Sequence, residues 1–212
     1  MYFVKTPDIV KPLYPSLVWD VNVTEKIAYL TFDDGPTPGV TDKVLNILDQ
    51  FNAKATFFLI GKNAEQNPDY LPAYTQAGHA IGNHSYSHMN GWLSDTESYL
   101  SDIEKAAKLI ESNLMRPPYG RIKRAQLKEL KDMYSIVMWD ILSGDFDPNV
   151  SPDACFQNVI DSFAPGSIIV FHDSIKASKT LLESLPRILR TLSSEGYRFE
   201  ALQQELNPPM SS

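Results

Sequence analysis

Two kinds of hydrophobic pattern alternate along the chain. Short apolar runs predict buried strands, and longer stretches with apolar residues at every third or fourth position predict amphipathic helices. Since the two kinds alternate, we predict a parallel sheet with covering helices, arranged as a barrel or as a doubly wound sheet. The predicted strands cover residues 27–32, 55–60, 135–139, 167–171 and 197–202. The predicted helices cover residues 41–51, 64–77, 95–113, 122–133, 152–162 and 179–194.

One domain accounts for the whole pattern. The chain has 212 residues and contains no internal repeat, low-complexity tract or linker. This length suits a single domain with a sizeable core, whereas two domains would be cramped. We therefore predict a domain over residues 26–206, a Pro-rich N-terminal extension over 1–25 that packs on it, and a C-terminal tail over 207–212.

Charge and cysteine content narrow the possible partners. The chain has 26 acidic and 19 basic residues, a net charge of −7, and no basic cluster, so neither nucleic acid nor an anionic membrane is an expected partner. Cys155 is the one cysteine, which excludes an internal disulfide and a cysteine metal cluster. The N-terminus lacks the apolar run of a signal peptide, and no run is long enough to span a bilayer. The sequence therefore predicts a cytoplasmic protein.

Polar residues of unusual type follow the predicted strands. Asp33 and Asp34 come directly after the first strand. Asp145 lies shortly beyond the third strand, and His172 and Asp173 close the fourth. In both candidate architectures, active sites gather at the carboxyl ends of parallel strands. These side chains are therefore expected to meet in one site.

The stretch DDGP at residues 33–36 allows two interpretations. Acids followed by glycine and proline are typical of an ordinary turn. Alternatively, neighbouring side chains at a strand end point to opposite faces, so one carboxylate can bind a metal while the other handles a proton. Both interpretations are open at this point.

His84 and His88 are separated by four positions, so both imidazoles face one side if this segment is helical or coils once. Two solvated histidines are the common alternative to a metal site. With Asp34 they would form a three-ligand site, in which a metal lowers the pKa of bound water from about 15.7 to roughly 7 and polarises a carbonyl. Asp33 would then be free to take the proton. The spacing of His79 does not fit the same side, and we interpret it as a structural histidine.

Two further segments carry candidate chemistry. The segment RPPYG at residues 116–120 is either a loop that ends a helix, or a rigid turn that carries catalytic groups. In the second interpretation Arg116 orients an acid and a backbone N–H points at a developing oxyanion. His172 is either an ordinary histidine at a strand end or a cationic imidazole that protonates a leaving amine, with Asp145 as its partner.

Taken in order, these motifs resemble those of the polysaccharide deacetylases of carbohydrate esterase family 4, also called the NodB homology domain. The resemblance covers about residues 26–203. It implies an α/β fold, a deformed and incomplete (β/α) TIM-like barrel, and hydrolysis of an N-acetyl amide on an amino sugar with release of acetate. The motifs are TFDDGP at 31–36, HSYSH at 84–88, RPPYG at 116–120, the Asp-aromatic pair at 145–146 and the histidine at 172.

The resemblance also implies a role for each motif residue. Asp33 corresponds to the catalytic base, and Arg116 corresponds to the residue that holds it. His172 corresponds to the general acid, which Asp145 tunes. The backbone of Tyr119 corresponds to an oxyanion donor. The implied metal ligands are Asp34, His84 and His88.

Three positions depart from the usual pattern of this family. Leu142 stands where the fourth motif usually has Asp, and Phe146 stands where it usually has Trp. Val170 stands where Leu is common. The Trp and the Leu normally shape the acetyl pocket, so these departures concern substrate choice more than the chemistry. Phe146 still offers an aromatic wall.

The expected cofactor is a divalent metal, Zn²⁺ by its ligands, although Co²⁺, Ni²⁺ and Fe²⁺ accept similar ones. The expected partner is an N-acetylated amino-sugar oligomer or glycan. The same homology domain is found in hydrolases of small cyclic amides, and the lack of an export signal favours that alternative, because cell-wall glycan lies outside the cytoplasm. A non-catalytic glycan-binding protein is the third and weakest alternative, since all the charged motif residues are present. The sequence does not assign an oligomeric state.

Overall fold

A computed structural model describes residues 2–203 and has a curled parallel sheet with helices packed against it. None of the helices in this part of the chain is long and apolar enough to cross a membrane. The strands are β1 (Leu17–Val18), β2 (Ile27–Asp33), β3 (Ala55–Leu59), β4 (Ala80–Asn83), β5 (Leu114–Met115), β6 (Ser135–Val137), β7 (Ile141–Leu142), β8 (Ile168–His172) and β9 (Arg198–Phe199). The helices are α1 (Thr41–Gln50), α2 (Gly61–Gln66), α3 (Tyr70–Gln76), α4 (Thr96–Ala107), α5 (Arg124–Leu130), α6 (Pro152–Ser162) and α7 (Ser178–Ser194). Two short 3-10 turns cover Lys11–Leu13 and Pro118–Gly120.

The sheet has the strand order β1-β6-β5-β4-β3-β2-β8-β7, and β9 pairs with β2. All pairings between these strands are parallel. The two ends of the sheet approach each other, since only residues 138–140 separate β6 from β7, and Asp20, just after β1, forms an isolated bridge with Ser167, just before β8. The predicted fold, a single domain with an incomplete (β/α) barrel, is confirmed.

The side chains of β2 alternate between two faces of the sheet. Leu30 and Phe32 are fully buried in the main hydrophobic core, together with apolar residues of α1 and α7. Thr31 and Asp33 lie on the opposite face, where both accept hydrogen bonds from the buried side chain of Arg116. This alternation explains why β2 is buried at every position and still delivers a carboxylate to the site.

A stack of three aromatic rings fixes the register of the central strands. Phe32 lies between Phe57 of β3 and Phe171 of β8, with ring centroids 5.0 and 5.6 Å away. Truncating a buried phenylalanine to alanine typically costs about 3–5 kcal/mol, so the stack contributes strongly to the alignment of the three strands. In that alignment Asp33 of β2 is paired with His172 of β8.

The predicted helix 64–77 is wrong, because the structure has two helices, α2 and α3, separated by residues 67–69. Pro68 explains the interruption, since a proline has no N–H to donate and keeps the residue before it out of the helical conformation. Asn67 has φ −135° and ψ 61°, outside the helical region.

The predicted helix 95–113 is shorter in the structure, where α4 begins after Asp95 and ends at Ala107. The side chain of Asp95 accepts a hydrogen bond from the Ser98 amide at 2.8 Å and caps the first turn. Ile110 continues the apolar pattern, but it is buried in the connection to β5. The pattern therefore reports burial beyond the end of the helix.

Four short strands escape prediction from the apolar pattern, namely β1, β4, β5 and β7. They contain two to four residues each, too few for the period of two to be visible. The predicted strand 135–139 ends at Val137 and the predicted strand 197–202 is reduced to β9. The remaining predicted strands and helices differ from the structure by at most three residues at either end.

The N-terminal segment runs along the outer side of β7. The Leu142 amide donates to the carbonyl of Val4 at 2.8 Å, and the Thr6 amide donates to the carbonyl of Asp140 at 2.8 Å. Further along the chain, β1 pairs with β6 at the other end of the sheet. The N-terminal segment thus covers one end of the sheet and extends the other. The predicted domain end at residue 206 and the tail 207–212 lie outside the described residues.

Candidate active site

The residues that the motifs single out meet at the carboxyl ends of the strands. Asp33 ends β2 and His172 ends β8. His84 follows β4, and Arg116 follows β5. The order of the strands places these ends side by side around the barrel, which is why residues distant in sequence share one site.

Asp34, His84 and His88 form a cluster in which one ligand atom from each residue lies within 4.8 Å of the others. Oδ1 of Asp34 is 3.8 Å from Nε2 of His84 and 3.3 Å from Nε2 of His88. Zinc bonds of about 2.0–2.2 Å place two ligands of one tetrahedral ion about 3.3–3.6 Å apart. The same Oδ1 atom is buried and has no hydrogen-bond partner within residues 2–203. This donor set therefore fits a divalent cation.

Both imidazoles present Nε2 to this cluster because Nδ1 is engaged elsewhere. Nδ1 of His84 lies 2.8 Å from the carbonyl oxygen of Arg116, which can only accept, so Nδ1 carries the proton. Nδ1 of His88 lies 3.1 Å from the hydroxyl of Tyr119. Burial and the neighbouring His84 lower the pKa of His88 to about 4, so its ring is neutral. Imidazoles held through Nδ1 are oriented to bind a metal through Nε2.

The segment between the two histidines coils once without forming a helix. Ser85 and His88 have φ values of 60° and 59°, in the left-handed region. Asp102 of α4 stabilises the coil, since its carboxylate accepts from the amides of Tyr86 and Ser87 at 2.9 and 3.0 Å. It also accepts from the Ser87 hydroxyl at 2.8 Å. No local pattern around the two histidines points to Asp102 as a supporting residue, because it lies 14 positions after His88 in α4.

Asp33 is held by a fully buried arginine. Nη1 of Arg116 donates to Oδ1 of Asp33 at 2.7 Å and to the Thr31 hydroxyl at 2.8 Å. The carbonyls of Val137 and Met138 accept from the other guanidinium nitrogens at 3.2 and 2.8 Å. Burial by itself would raise the pKa of Asp33, but the nearby positive charges, chiefly that of Arg116, lower it below its ordinary value. Asp33 is therefore an oriented carboxylate at neutral pH.

His172 forms a pair with Asp145. The Asp145 carboxylate lies 2.8 Å from Nδ1 of His172 and also accepts from the His172 amide at 2.7 Å. Burial by itself would lower the pKa of His172, but the charge and hydrogen bond of Asp145 outweigh burial and raise that pKa to about 9. His172 is therefore a cation at neutral pH. Both oxygens of the Asp145 carboxylate orient it, one at the ring and one at the backbone amide. Its Nε2 is the remaining N–H donor.

The three predicted pocket residues lie in different surroundings. Tyr119 has φ 61° in the 3-10 turn and is 59% exposed, with its ring 4.5 Å from that of His88. Phe146 is half-buried, and its ring lies 5.1 Å from that of His172. Val170 is buried two positions before His172 on the same face of β8. Tyr119 thus borders the cluster at His88, Phe146 borders His172, and Val170 is buried in β8 below His172.

A further carboxyl group, that of Asp173, supports the loop that carries Asp34. It is fully buried, accepts from the Thr41 hydroxyl at 2.5 Å, and has a pKa that burial raises to about 7. A Cβ on Gly35 would overlap the Asp173 carboxylate, so only glycine fits at position 35. The sequence places Asp173 at a strand end, but nothing in the sequence shows that it packs against Gly35.

His79 lies outside the site, in agreement with its structural interpretation. Its Nδ1 accepts from the Ala55 amide at 3.2 Å, and its ring packs edge-on against Phe57. Burial lowers the pKa of His79 to about 4, so it is a neutral histidine of the interior.

The fold and the site together define the class of protein. The chain belongs to the polysaccharide deacetylase family, whose model matches residues 20–135. The resemblance inferred from the motifs is therefore confirmed.

Particular relatives match nearly the whole chain. It is 35% identical over 208 residues to a peptidoglycan-N-acetylglucosamine deacetylase of Bacillus cereus, with 92% of this chain and 96% of the relative aligned. The crystal structure of the Bc1960 peptidoglycan N-acetylglucosamine deacetylase, in complex with 4-naphthalen-1-yl-N-oxidanyl-benzamide, has a TM-score of 0.83 at 35% identity, covering 88% of this chain and 91% of that chain. A family 4 carbohydrate esterase from Streptomyces lividans in complex with acetate has a TM-score of 0.75 at 32% identity, covering 86% of this chain and 96% of that chain.

Proposed function

We propose that this protein is a metal-dependent hydrolase that removes N-acetyl groups from the amino sugars of a glycan and releases acetate. The observation that carries the proposal is the pairing of Asp33 with His172 at the ends of neighbouring strands, beside the Asp34, His84 and His88 cluster. Hydrolysis of an amide needs a base that activates water and an acid that protonates the departing nitrogen. Asp33 is suited to the first role and His172 to the second.

The three-residue cluster would hold the metal. Asp34, His84 and His88 suit Zn²⁺, and Co²⁺, Ni²⁺ and Fe²⁺ accept similar ligands. A cation bound there would polarise the substrate carbonyl and lower the pKa of water. The chain contributes two imidazoles fixed through Nδ1 and a buried carboxylate oxygen.

The proton transfers follow from the charge states of the two paired residues. Asp33, a carboxylate at neutral pH, accepts a proton as a water oxygen attacks the acetyl carbon, and Arg116 keeps it oriented. His172 donates its Nε2 proton to the nitrogen as the C–N bond breaks, which yields a free amine and acetate. Asp145 remains bound to Nδ1 and stabilises the cationic form of the acid. The backbone N–H of Tyr119 is proposed to donate to the developing oxyanion.

An extended glycan fits the surroundings of the site better than a small cyclic amide. Trp92 and Tyr119 are 58% and 59% exposed, and the guanidinium of Arg121 lies 5.2 and 6.0 Å from their rings. Such an aromatic surface beside His88 offers apolar faces to sugar rings. The names of the Bacillus cereus relative and of the Bc1960 structure point to N-acetylglucosamine in peptidoglycan, and the acetate complex from Streptomyces lividans is consistent with acetate as product.

The test is acetate release from N-acetylglucosamine oligomers of increasing length and from peptidoglycan, with and without a chelator. The Asp33→Asn variant is the matched control, because it keeps the three metal ligands and removes the base. Release that grows with chain length, stops with chelator, returns with Zn²⁺ and is lost in Asp33→Asn supports the proposal.

Two results would replace the proposal with an alternative. Activity on small cyclic amides without activity on sugars would identify a different hydrolase on the same fold. Metal binding without turnover on either substrate would identify a non-catalytic glycan-binding homologue.

A further inference from the structure

The N-terminal segment is fastened to β7 and the residues just before it, and β7 is the neighbour of β8, the strand that ends in the proposed catalytic acid. Lys5 forms an antiparallel bridge with Ile141. Its ammonium group contacts the Asp140 carboxylate at 2.7 Å and the Ser162 carbonyl at 2.8 Å. The Thr6 hydroxyl donates to a backbone carbonyl in the same stretch, at residue 139. These contacts fix the path of the chain that leads to Tyr2.

Tyr2 ends this path against the loop after β7. Its ring centroid lies 5.2 Å from that of Phe146, in a tilted arrangement of 49°. Its hydroxyl donates to the Asp147 carboxylate at 3.1 Å. Tyr2 therefore contacts two consecutive residues of the loop, one through its ring and one through its hydroxyl.

Phe146 connects Tyr2 to the catalytic acid. On its other side the Phe146 ring packs edge-on against the His172 imidazole, with centroids 5.1 Å apart and planes at 66°. The ammonium group of Lys176 lies 5.9 Å from the same ring. The position of the Phe146 ring thus depends on Tyr2 as well as on His172.

The loop leaves room for the tyrosine. Gly144 has φ 83°, and a Cβ there would lie 3.1 Å from the hydroxyl oxygen of Tyr2. The rings of Tyr2 and Phe146 together form an aromatic wall beside His172.

We propose that Tyr2 is a specificity-determining residue that positions the Phe146 ring beside His172 and so limits the size of the N-acyl group accepted there. Tyr2 acts through Phe146 and is a positioning residue, not a catalytic one. The inference rests on the proposed deacetylase function and adds to it a residue outside the matched family region, which begins at residue 20.

The experiment compares four metal-loaded proteins: the wild type, Tyr2→Ala, Tyr2→Phe and Phe3→Ala. Phe3 is the matched control because it is the neighbouring aromatic residue and is 72% exposed. Initial rates are measured on N-acetyl and N-propionyl forms of the same glucosamine oligomer. Thermal unfolding of each protein is recorded, so that a loss of folded protein is not mistaken for a kinetic effect.

Loss of the ring contact is expected to raise the KM of Tyr2→Ala for the N-acetyl substrate by about 3- to 10-fold, with kcat within about twofold of the wild type. The ratio of kcat/KM for the N-propionyl substrate over the N-acetyl substrate should rise by about threefold or more, because the Phe146 ring can move once Tyr2 no longer packs on it. Tyr2→Phe keeps the ring and should restore most of the KM and the ratio. Phe3→Ala should behave like the wild type.

An active wild type with a Tyr2→Ala variant unchanged in KM and in acyl ratio would overturn this inference and leave the proposed function intact. A change in Phe3→Ala equal to that in Tyr2→Ala would overturn it as well. A wild type that releases no acetate from any oligomer would overturn the proposed function, and this inference with it.

Discussion

The guanidinium of Arg116 donates to the Asp33 carboxylate at 2.7 Å, and the two residues are 0% and 4% exposed. Two backbone carbonyls and the Thr31 hydroxyl accept from the same guanidinium. The arginine is therefore satisfied without contacting solvent, and its charge keeps a buried carboxylate ionised. The orientation and the charge state of the proposed base have one structural cause.

Replacing that arginine should destabilise the fold as well as the site. In Arg116→Met the Asp33 carboxylate stays buried without its counter-charge, and breaking such a pair typically costs about 3–5 kcal/mol. We expect the free energy of unfolding in urea to fall by that order. Arg187→Met is the control, since Arg187 pairs with Asp153 at the surface and its loss should cost at most about 1 kcal/mol. Equal losses in the two variants would contradict a buried ion pair.

Metal binding should depend on His88 and not on His79. His88→Ala removes one of the three proposed ligands, so the dissociation constant for Zn²⁺, measured by equilibrium dialysis, should rise strongly and acetate release should fall with it. His79→Asn is the matched control, because the asparagine can still accept from the Ala55 amide. Unchanged zinc affinity in His88→Ala would show that the three residues do not share an ion.

Removing the proposed acid should slow the reaction without emptying the metal site. A positioned acid typically contributes about 10²–10⁴-fold, so His172→Ala should lower kcat by that order. Its zinc content should equal that of the wild type, whereas Asp34→Ala should lose both zinc and activity. A His172→Ala variant with the wild-type kcat would exclude the acid role.

The pH dependence of kcat/KM should reflect the ionisation of His172 in its pair with Asp145. The protonated form of His172 is the acid, and its pKa is about 9, so the rate should fall as the pH rises through about 9. In Asp145→Asn the opposing effect of burial is no longer outweighed, so the pKa of His172 should fall and the basic limb should move to lower pH. The measurement is kcat/KM against pH for both proteins. A basic limb that stays in place would assign it to another group.

Glycine at position 35 should be required for metal affinity. In Gly35→Ala the new methyl group meets the Asp173 carboxylate, so either that side chain or the loop carrying Asp34 must move. We expect weaker zinc binding in a protein that still folds. Gly39→Ala in the same loop is the control. Its new Cβ would meet nothing within 4 Å, so the substitution adds backbone strain at φ 81° but no contact with another side chain. Similar zinc affinities in the two variants would show that the contact with Asp173 does not position Asp34.

Much of the site could be predicted because its residues lie at strand ends. Asp33 and His172 end apolar runs that are long enough to be recognised as strands. The parallel sheet then places the carboxyl ends of these strands side by side. The sequence leaves open whether the segment between His84 and His88 is helical or coils once, since the coil depends on Asp102 of α4. Short strands such as β5 have no visible period. The contact of Tyr2 with Phe146 joins chain positions more than a hundred residues apart, and no local pattern reports it.

The path of residues 4–6 along β7 has a practical consequence for purification. An affinity tag joined ahead of Tyr2 would begin next to the Phe146 ring, which packs against His172. A long polymer would have to share that space with the tag, whereas a single sugar would not. Rates on polymeric and monomeric substrates should therefore be compared only after an amino-terminal tag has been cleaved off.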